Sequence, residues 1–187
     1  MAVAEFLIGL ATIILGLALS NIASSIHRLA LFGRKVRWAP EPILLTILLV
    51  LILVNVWFSY WDIRDVKSIN EGRALITVAQ LMTLYFAAAS CLPEVDRIPE
   101  AGIDLKAYYY ETRQLAYGAM VVSLSLIGFR ALVGGGVPVF LEWLAEAAIP
   151  IILYLILCVI RWRWAHLGVL LLVNGIFGYM VATTTIS

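Results

Sequence analysis

Charge is the scarcest property of this chain. Only 13% of its 187 residues are Asp, Glu, Lys or Arg, where a soluble domain carries roughly a quarter. With 63% hydrophobic residues and a mean hydropathy of +0.99, that shortage excludes a water-soluble globular protein. A net charge of +1 leaves no basic field to attract nucleic acid. Catalytic signatures are missing as well: there is no His-Glu-x-x-His helix, no nucleophile elbow and no phosphate loop. No Lys, Asp or Glu lies near the middle of a hydrophobic stretch, which argues against a buried Schiff-base lysine or a midplane proton-carrying carboxylate. The opening MAVAEF has no Lys or Arg ahead of its apolar run, so the first stretch reads as a retained helix and not a cleaved signal.

What is present is hydrophobic length. Six stretches reach or approach the about 20 residues that cross a bilayer: 3–30, 43–61, 74–91, 109–133, 139–160 and 165–184. The expected fold is an all-α polytopic bundle of about six transmembrane helices, one domain spanning 1–187. Orientation follows from positive charge in the short connections. The first holds Arg28, Arg34, Lys35 and Arg37, the third Arg97, Lys106 and Arg113, and the fifth Arg161 and Arg163. The second and fourth share Arg64, Lys67, Arg73 and Arg130. The odd connections are therefore expected at the cytoplasmic face and both ends of the chain on the outer side.

Punctuation fits these spans. Gly33 can stop the first helix, and Pro40 and Pro42 are expected to delay the second. Gly102 suits a turn, Asp104 an N-cap, and Gly134-Gly135-Gly136 a flexible outer turn. Trp57, Phe58, Tyr60 and Trp61 form an aromatic belt, and Arg161-Trp162-Arg163-Trp164 an interfacial anchor. Beyond Pro150 the fifth stretch is apolar almost all round, as expected of the most lipid-exposed helix.

The first stretch carries the most pattern. At about 100° per residue, Glu5, Gly9, Thr12, Gly16, Ser20, Ala23, Ser24 and His27 fall on one face. Lipid would accept Leu at all of those positions, so the face meets something else. Small residues let helices approach closely. The expectation is that this helix lies at the centre of the bundle or against a partner. Gln80, Thr83, Ala87 and Ser90 make a second stripe, and Asn174, Gly178 and Ala182 a third. Gln80, deep in its span, needs a hydrogen-bond partner from a helix, a water or a substrate. Packing accounts for the small residues of the first face and least well for its ends, Glu5 and His27.

Two further sets are candidates for chemistry. Asn55, Ser59 and Asp62 share one face at an outer helix end, where they could coordinate a cation or polar ligand or else satisfy a neighbouring helix or headgroup water, and the acids Glu5, Asp62, Glu142 and Glu146 all fall on the outer side. If they converge they concentrate cations at an entrance; otherwise each snorkels to water or pairs with Arg64, Arg73 or Arg130. His27, Cys91, Cys158 and His166 all lie toward the cytoplasmic face. Two Cys and two His can make a tetrahedral zinc site and two His can clamp a haem, but these four lack local ligand spacing. No metal or other cofactor is expected; bound lipid is.

The run Leu92-Pro93, Ile103-Asp104-Leu105, Tyr108-Tyr109 and Arg113, with Trp57…Trp61-Asp62, resembles small uncharacterised bacterial multi-pass inner-membrane proteins. The resemblance implies a bacterial inner membrane and carries no activity with it. Taken together, the residues point to a non-enzymatic subunit or scaffold of a membrane assembly, with itself or other membrane subunits and lipids as partners. The alternatives are a small oligomeric channel or transporter with a polar path along the first helix, and a metal or haem protein using the His/Cys set.

Overall fold

The computed structural model describes residues 3–61, 70–94 and 102–183, which are almost entirely helical. Asp62, Arg64, Lys67 and Arg97 lie outside the described residues. The helices are α1 (Val3–Phe32), α2 (Pro40–Trp61), α3 (Glu71–Cys91), α4 (Leu105–Val159) and α5 (Arg163–Thr183), all five long and apolar enough to cross a membrane.

Several helix limits follow from end chemistry. Gly33, at φ 52°, ends α1. The second helix starts at Pro40, earlier than the expected residue 43. Its prolines fall in the first turn, where backbone N–H groups have no intrahelical acceptor to lose. Asn70 caps α3 by accepting from the Gly72 N–H at 2.8 Å. Asp104 caps α4 as its sequence suggests, accepting from the N–H groups of Lys106 (2.9 Å) and Ala107 (3.1 Å), and so starts that helix at Leu105.

The 55-residue α4 doubles back on itself. Gly136 alone leaves helical geometry, at φ 73° and ψ −168°, a combination open essentially to glycine. On either side the chain runs antiparallel. The Tyr117 and Tyr154 rings stack at 6.0 Å, the Trp143 ring lies against Gly128, and Arg113 Nη1 donates to the Leu157 carbonyl at 2.9 Å. The outgoing arm (105–135) and returning arm (137–159) each exceed the about 20 residues of a membrane crossing. The expected flexible turn is in fact a one-residue reversal, and most of the returning arm is exposed.

Side-chain contacts bring the connections to two ends. At one, β1 (Val36–Arg37) pairs in parallel with β2 (Ile103–Asp104). Gly102, at φ +81°, makes that pairing possible because a Cβ there would lie 2.6 Å from the Lys35 carbonyl oxygen. Arg163 Nε donates to Glu41 Oε1 at 2.7 Å at the same end. The first, third and fifth connections therefore meet, with Arg34, Lys35, Arg37, Lys106, Arg161 and Arg163 around them; this is called the basic end below. At the other end Arg130 Nη1 donates to Thr77 Oγ1 at 3.3 Å, and the Arg73 guanidinium lies against Gly134.

The central helix is α2, which packs on α1, α3, α4 and α5. The expectation that α1 occupies the centre is corrected: it packs on α2 and α3 at the edge of the bundle. An apolar surface all round lets α2 be surrounded, and Leu45, Leu48, Leu49 and Leu53 are all buried. On α1 only one side is built for that, as its burial pattern shows.

Candidate functional site

The small and polar row of α1 is exposed, with Ser20 and Ser24 bordering a groove shared with α3. Glu5, Gly9, Thr12, Gly16, Ser20, Ala23, Ser24 and His27 are all exposed, while Leu7, Ala11, Leu15, Ala18, Ile22 and Leu29 are buried against α2 and α3. Inward contact thus uses a second set of small residues, Ala11 and Ala18, each at most 1% exposed. A Cβ added at Gly9 or Gly16 would meet no atom within 4 Å. Thr12 Oγ1 donates to its own helix at the Ile8 carbonyl (2.8 Å), so this hydroxyl needs no outside acceptor. Toward the basic end Ser20, Asn21 and Ser24 join Arg28, Tyr85 and Glu94 around a polar groove of about 230 Å³ between α1 and α3.

The stripe of α3 points inward, and Gln80 is its centre. Gln80 is 4% exposed and, among the described residues, its Oε1 has no hydrogen-bond partner. It lines a cavity of about 170 Å³ formed by α2, α3, both arms of α4, and α5. Asn55 and Ser123 are on the same wall with Tyr154; most of the rest is apolar. Asn174 is a packing residue: its Nδ2 donates to the Leu44 carbonyl of α2 at 3.0 Å and to Leu170 of its own helix at 2.7 Å. Gly178, in the same row, is half-buried.

A third assembly, at the basic end, holds the two arms of α4 and α5 together. Tyr109, Arg113 and Tyr117 lie in one i, i+4, i+8 row, and all three are at most 2% exposed. His166 is fully buried. Its Nε2 lies 2.8 Å from the Ile160 carbonyl oxygen, which can only accept, so that nitrogen carries a hydrogen. In the neutral ring Nδ1 then accepts from the Tyr109 hydroxyl at 2.6 Å, and Tyr109 in turn accepts from Tyr117 at 2.8 Å. Arg113 Nη1 stands 3.5 Å from His166 Nε2. Both are donors, so this is a contact and no hydrogen bond. The guanidinium instead donates to main-chain carbonyls of Leu157 and Ile160, while Gln114 Nε2 reaches Cys158 O at 3.4 Å. Leu157 and Cys158 carry the last carbonyls of the returning arm and Ile160 follows its end, so none of the three has an intrahelical donor. Glu41, fully buried in the first turn of α2, pairs with Arg163; its Oε2 has no partner among the described residues.

The remaining candidates are not gathered. Ser59 Oγ donates to the Val56 carbonyl of its own helix at 2.7 Å, and Asn55 turns to the central cavity. Glu142 and Glu146 are exposed one turn apart. Among the described residues no three His, Cys, Asp or Glu side chains come together as a metal site. His27 is exposed, Cys91 Sγ is held at the Ala88 carbonyl (3.0 Å), Cys158 is half-buried, and both nitrogens of His166 are engaged.

No family model, curated protein or solved structure matches this chain. Its chemistry therefore rests on its own residues. Two buried groups escape a reading by sequence. Glu41 sits between two prolines and looks like a loop residue. Arg113 looks like one more interfacial cation, although its four-residue spacing from Tyr109 and Tyr117 is a legible sign of a polar row inside an apolar helix.

Proposed function

We propose that the protein is a non-enzymatic, multi-pass protein of the bacterial inner membrane, acting as a helix-packing subunit of a larger membrane assembly. Its joining surface is the Gly9–Gly16 face of α1. Counting the two arms of α4 separately, the chain crosses six times, with the basic end cytoplasmic and residues 3 and 183 outside. The observation that carries the reading is the exposure of eight small or polar positions along one side of α1. They form a close-approach surface on a helix whose other side already holds it to the bundle. In lipid such a surface gains by contacting another helix through van der Waals packing and hydrogen bonds.

The test compares Gly16→Leu with the native protein in detergent and in nanodiscs. The variant is expected to fold as the native chain does and to lose association, read by native mass spectrometry. Unchanged association in Gly16→Leu and in a Gly9→Leu/Gly16→Leu double variant overturns the proposal.

A second reading is favoured by the polar members of the face. Around a shared axis Glu5, Thr12, Ser20, Ser24 and His27 of several copies would line a polar path. Ion flux into liposomes that Ser20→Leu abolishes, with association retained, supports that channel over a purely structural subunit.

A further inference from the structure

We propose that the central cavity is an intramembrane binding site for a small neutral molecule with an apolar body and one hydrogen-bond donor, of the size of a single-ring phenol. The cavity's walls come from α2, α3, both arms of α4, and α5, with no residue of α1.

Three observations set the ligand's chemistry. The first is Gln80 Oε1, an acceptor without a partner on a side chain 4% exposed, lining the cavity. Burying an amide oxygen without a hydrogen bond is costly, and a donor on the ligand removes that cost. The second is that none of the described residues on the wall is Asp, Glu, Lys or Arg, which excludes a charged ligand because its charge would be desolvated without compensation. The third is the apolar remainder, with Leu84, Met120, Ile127 and Phe177 among it. Water needs two to four polar partners; it can serve the corner beside Gln80, Asn55 and Ser123, and gains nothing along those side chains.

Size follows from volume. The cavity measures about 170 Å³, and an engineered apolar cavity of about 150 Å³ in another protein takes up benzene. One ring with a hydroxyl fits on that scale. Pro150 lies in the wall. Proline removes the helical hydrogen bond to the fourth preceding carbonyl, while the returning arm stays helical through it. Tyr154, also in the wall, stacks on Tyr117, so the cavity adjoins the buried hydrogen-bond chain that ends at His166.

The test uses full-length protein in nanodiscs titrated with 4-fluorophenol and, separately, fluorobenzene, read by fluorine NMR against empty nanodiscs. Expected is saturable binding of 4-fluorophenol at one site per chain, at least tenfold tighter than fluorobenzene. Gln80→Met, of similar volume without the acceptor, should erase that preference and leave fluorobenzene binding unchanged. Ser123→Leu, which fills the cavity from α4, should remove saturable binding of both probes. Partitioning equal to that of empty nanodiscs, as for a cavity holding water alone, overturns the proposal. So does saturable binding that both variants leave untouched. Should Gln80→Met fail to fold, the preference measured on the native protein and its loss in Ser123→Leu decide the question.

Discussion

Arg113 and Leu157 join the two arms of α4: the buried guanidinium donates to the Leu157 carbonyl oxygen at 2.9 Å, 44 residues along the chain. One cation thereby serves several of the carbonyls left over where the returning arm ends. Hydrogen bonds from charged donors contribute about 1.5–3 kcal/mol each. Arg113→Met is therefore expected to destabilise the protein by about 2–4 kcal/mol. Arg113→Lys should recover little, because a point-like ammonium cannot span several acceptors as the planar guanidinium does. Unfolding in a detergent titration measures both.

Tyr109 and His166 should behave as a coupled pair. Tyr109→Phe leaves Nδ1 without a donor and the Tyr117 hydroxyl without its acceptor, and His166→Phe leaves the Tyr109 hydroxyl without its acceptor while Arg113 still serves the Ile160 carbonyl; each is expected to cost about 1–3 kcal/mol. The double variant should cost less than the sum, with a coupling of about 0.5–3 kcal/mol. Strict additivity in a double-mutant cycle would show that their 2.6 Å contact contributes nothing.

The buried carboxylate of Glu41 makes an ordering test. Arg163→Gln leaves a charge that is fully buried without its cation, whereas Glu41→Gln removes the charge itself. Arg163→Gln should be the more destabilising, and the double variant should resemble Glu41→Gln. Thermal unfolding of the three variants checks the order.

Three glycines separate backbone need from space. Gly136→Ala forces a side chain into a conformation that only glycine adopts readily and should cost about 1–3 kcal/mol. Gly102→Ala adds a clash with the Lys35 carbonyl and should loosen the pairing of the first and third connections. Gly118→Ala, within a helix and with open space around the added methyl, should stabilise by up to about 1 kcal/mol.

Neighbouring positions on α1 distinguish its two sides. Ala18 is fully buried and Gly16 exposed. Ala18→Leu is expected to disturb the fold of the single chain by about 1–3 kcal/mol through overpacking. Gly16→Leu should leave that fold intact and act only on association. Monomer unfolding and native mass spectrometry, run on both variants, separate the effects.

Much of the architecture is legible in the sequence. Hydrophobic length marked the helices that are long and apolar enough to cross a membrane, because a helix can satisfy its own backbone in lipid. Asp104, Gly33 and Gly102 marked real ends, since capping and positive φ are local properties of a few consecutive residues. Periodicity also placed Glu5 through His27 on one face of α1. It could not say which way that face points. Both sides of α1 carry small residues, Ala11 and Ala18 on one and Gly9 and Gly16 on the other, and only packing against α2 and α3 decided which side turns inward. Tertiary structure likewise brought Gln80 to a cavity shared by four helices, and Arg113 to carbonyls 44 residues away. Those partners are distant in sequence and are main-chain atoms or empty space, which leave no pattern in a row of side chains.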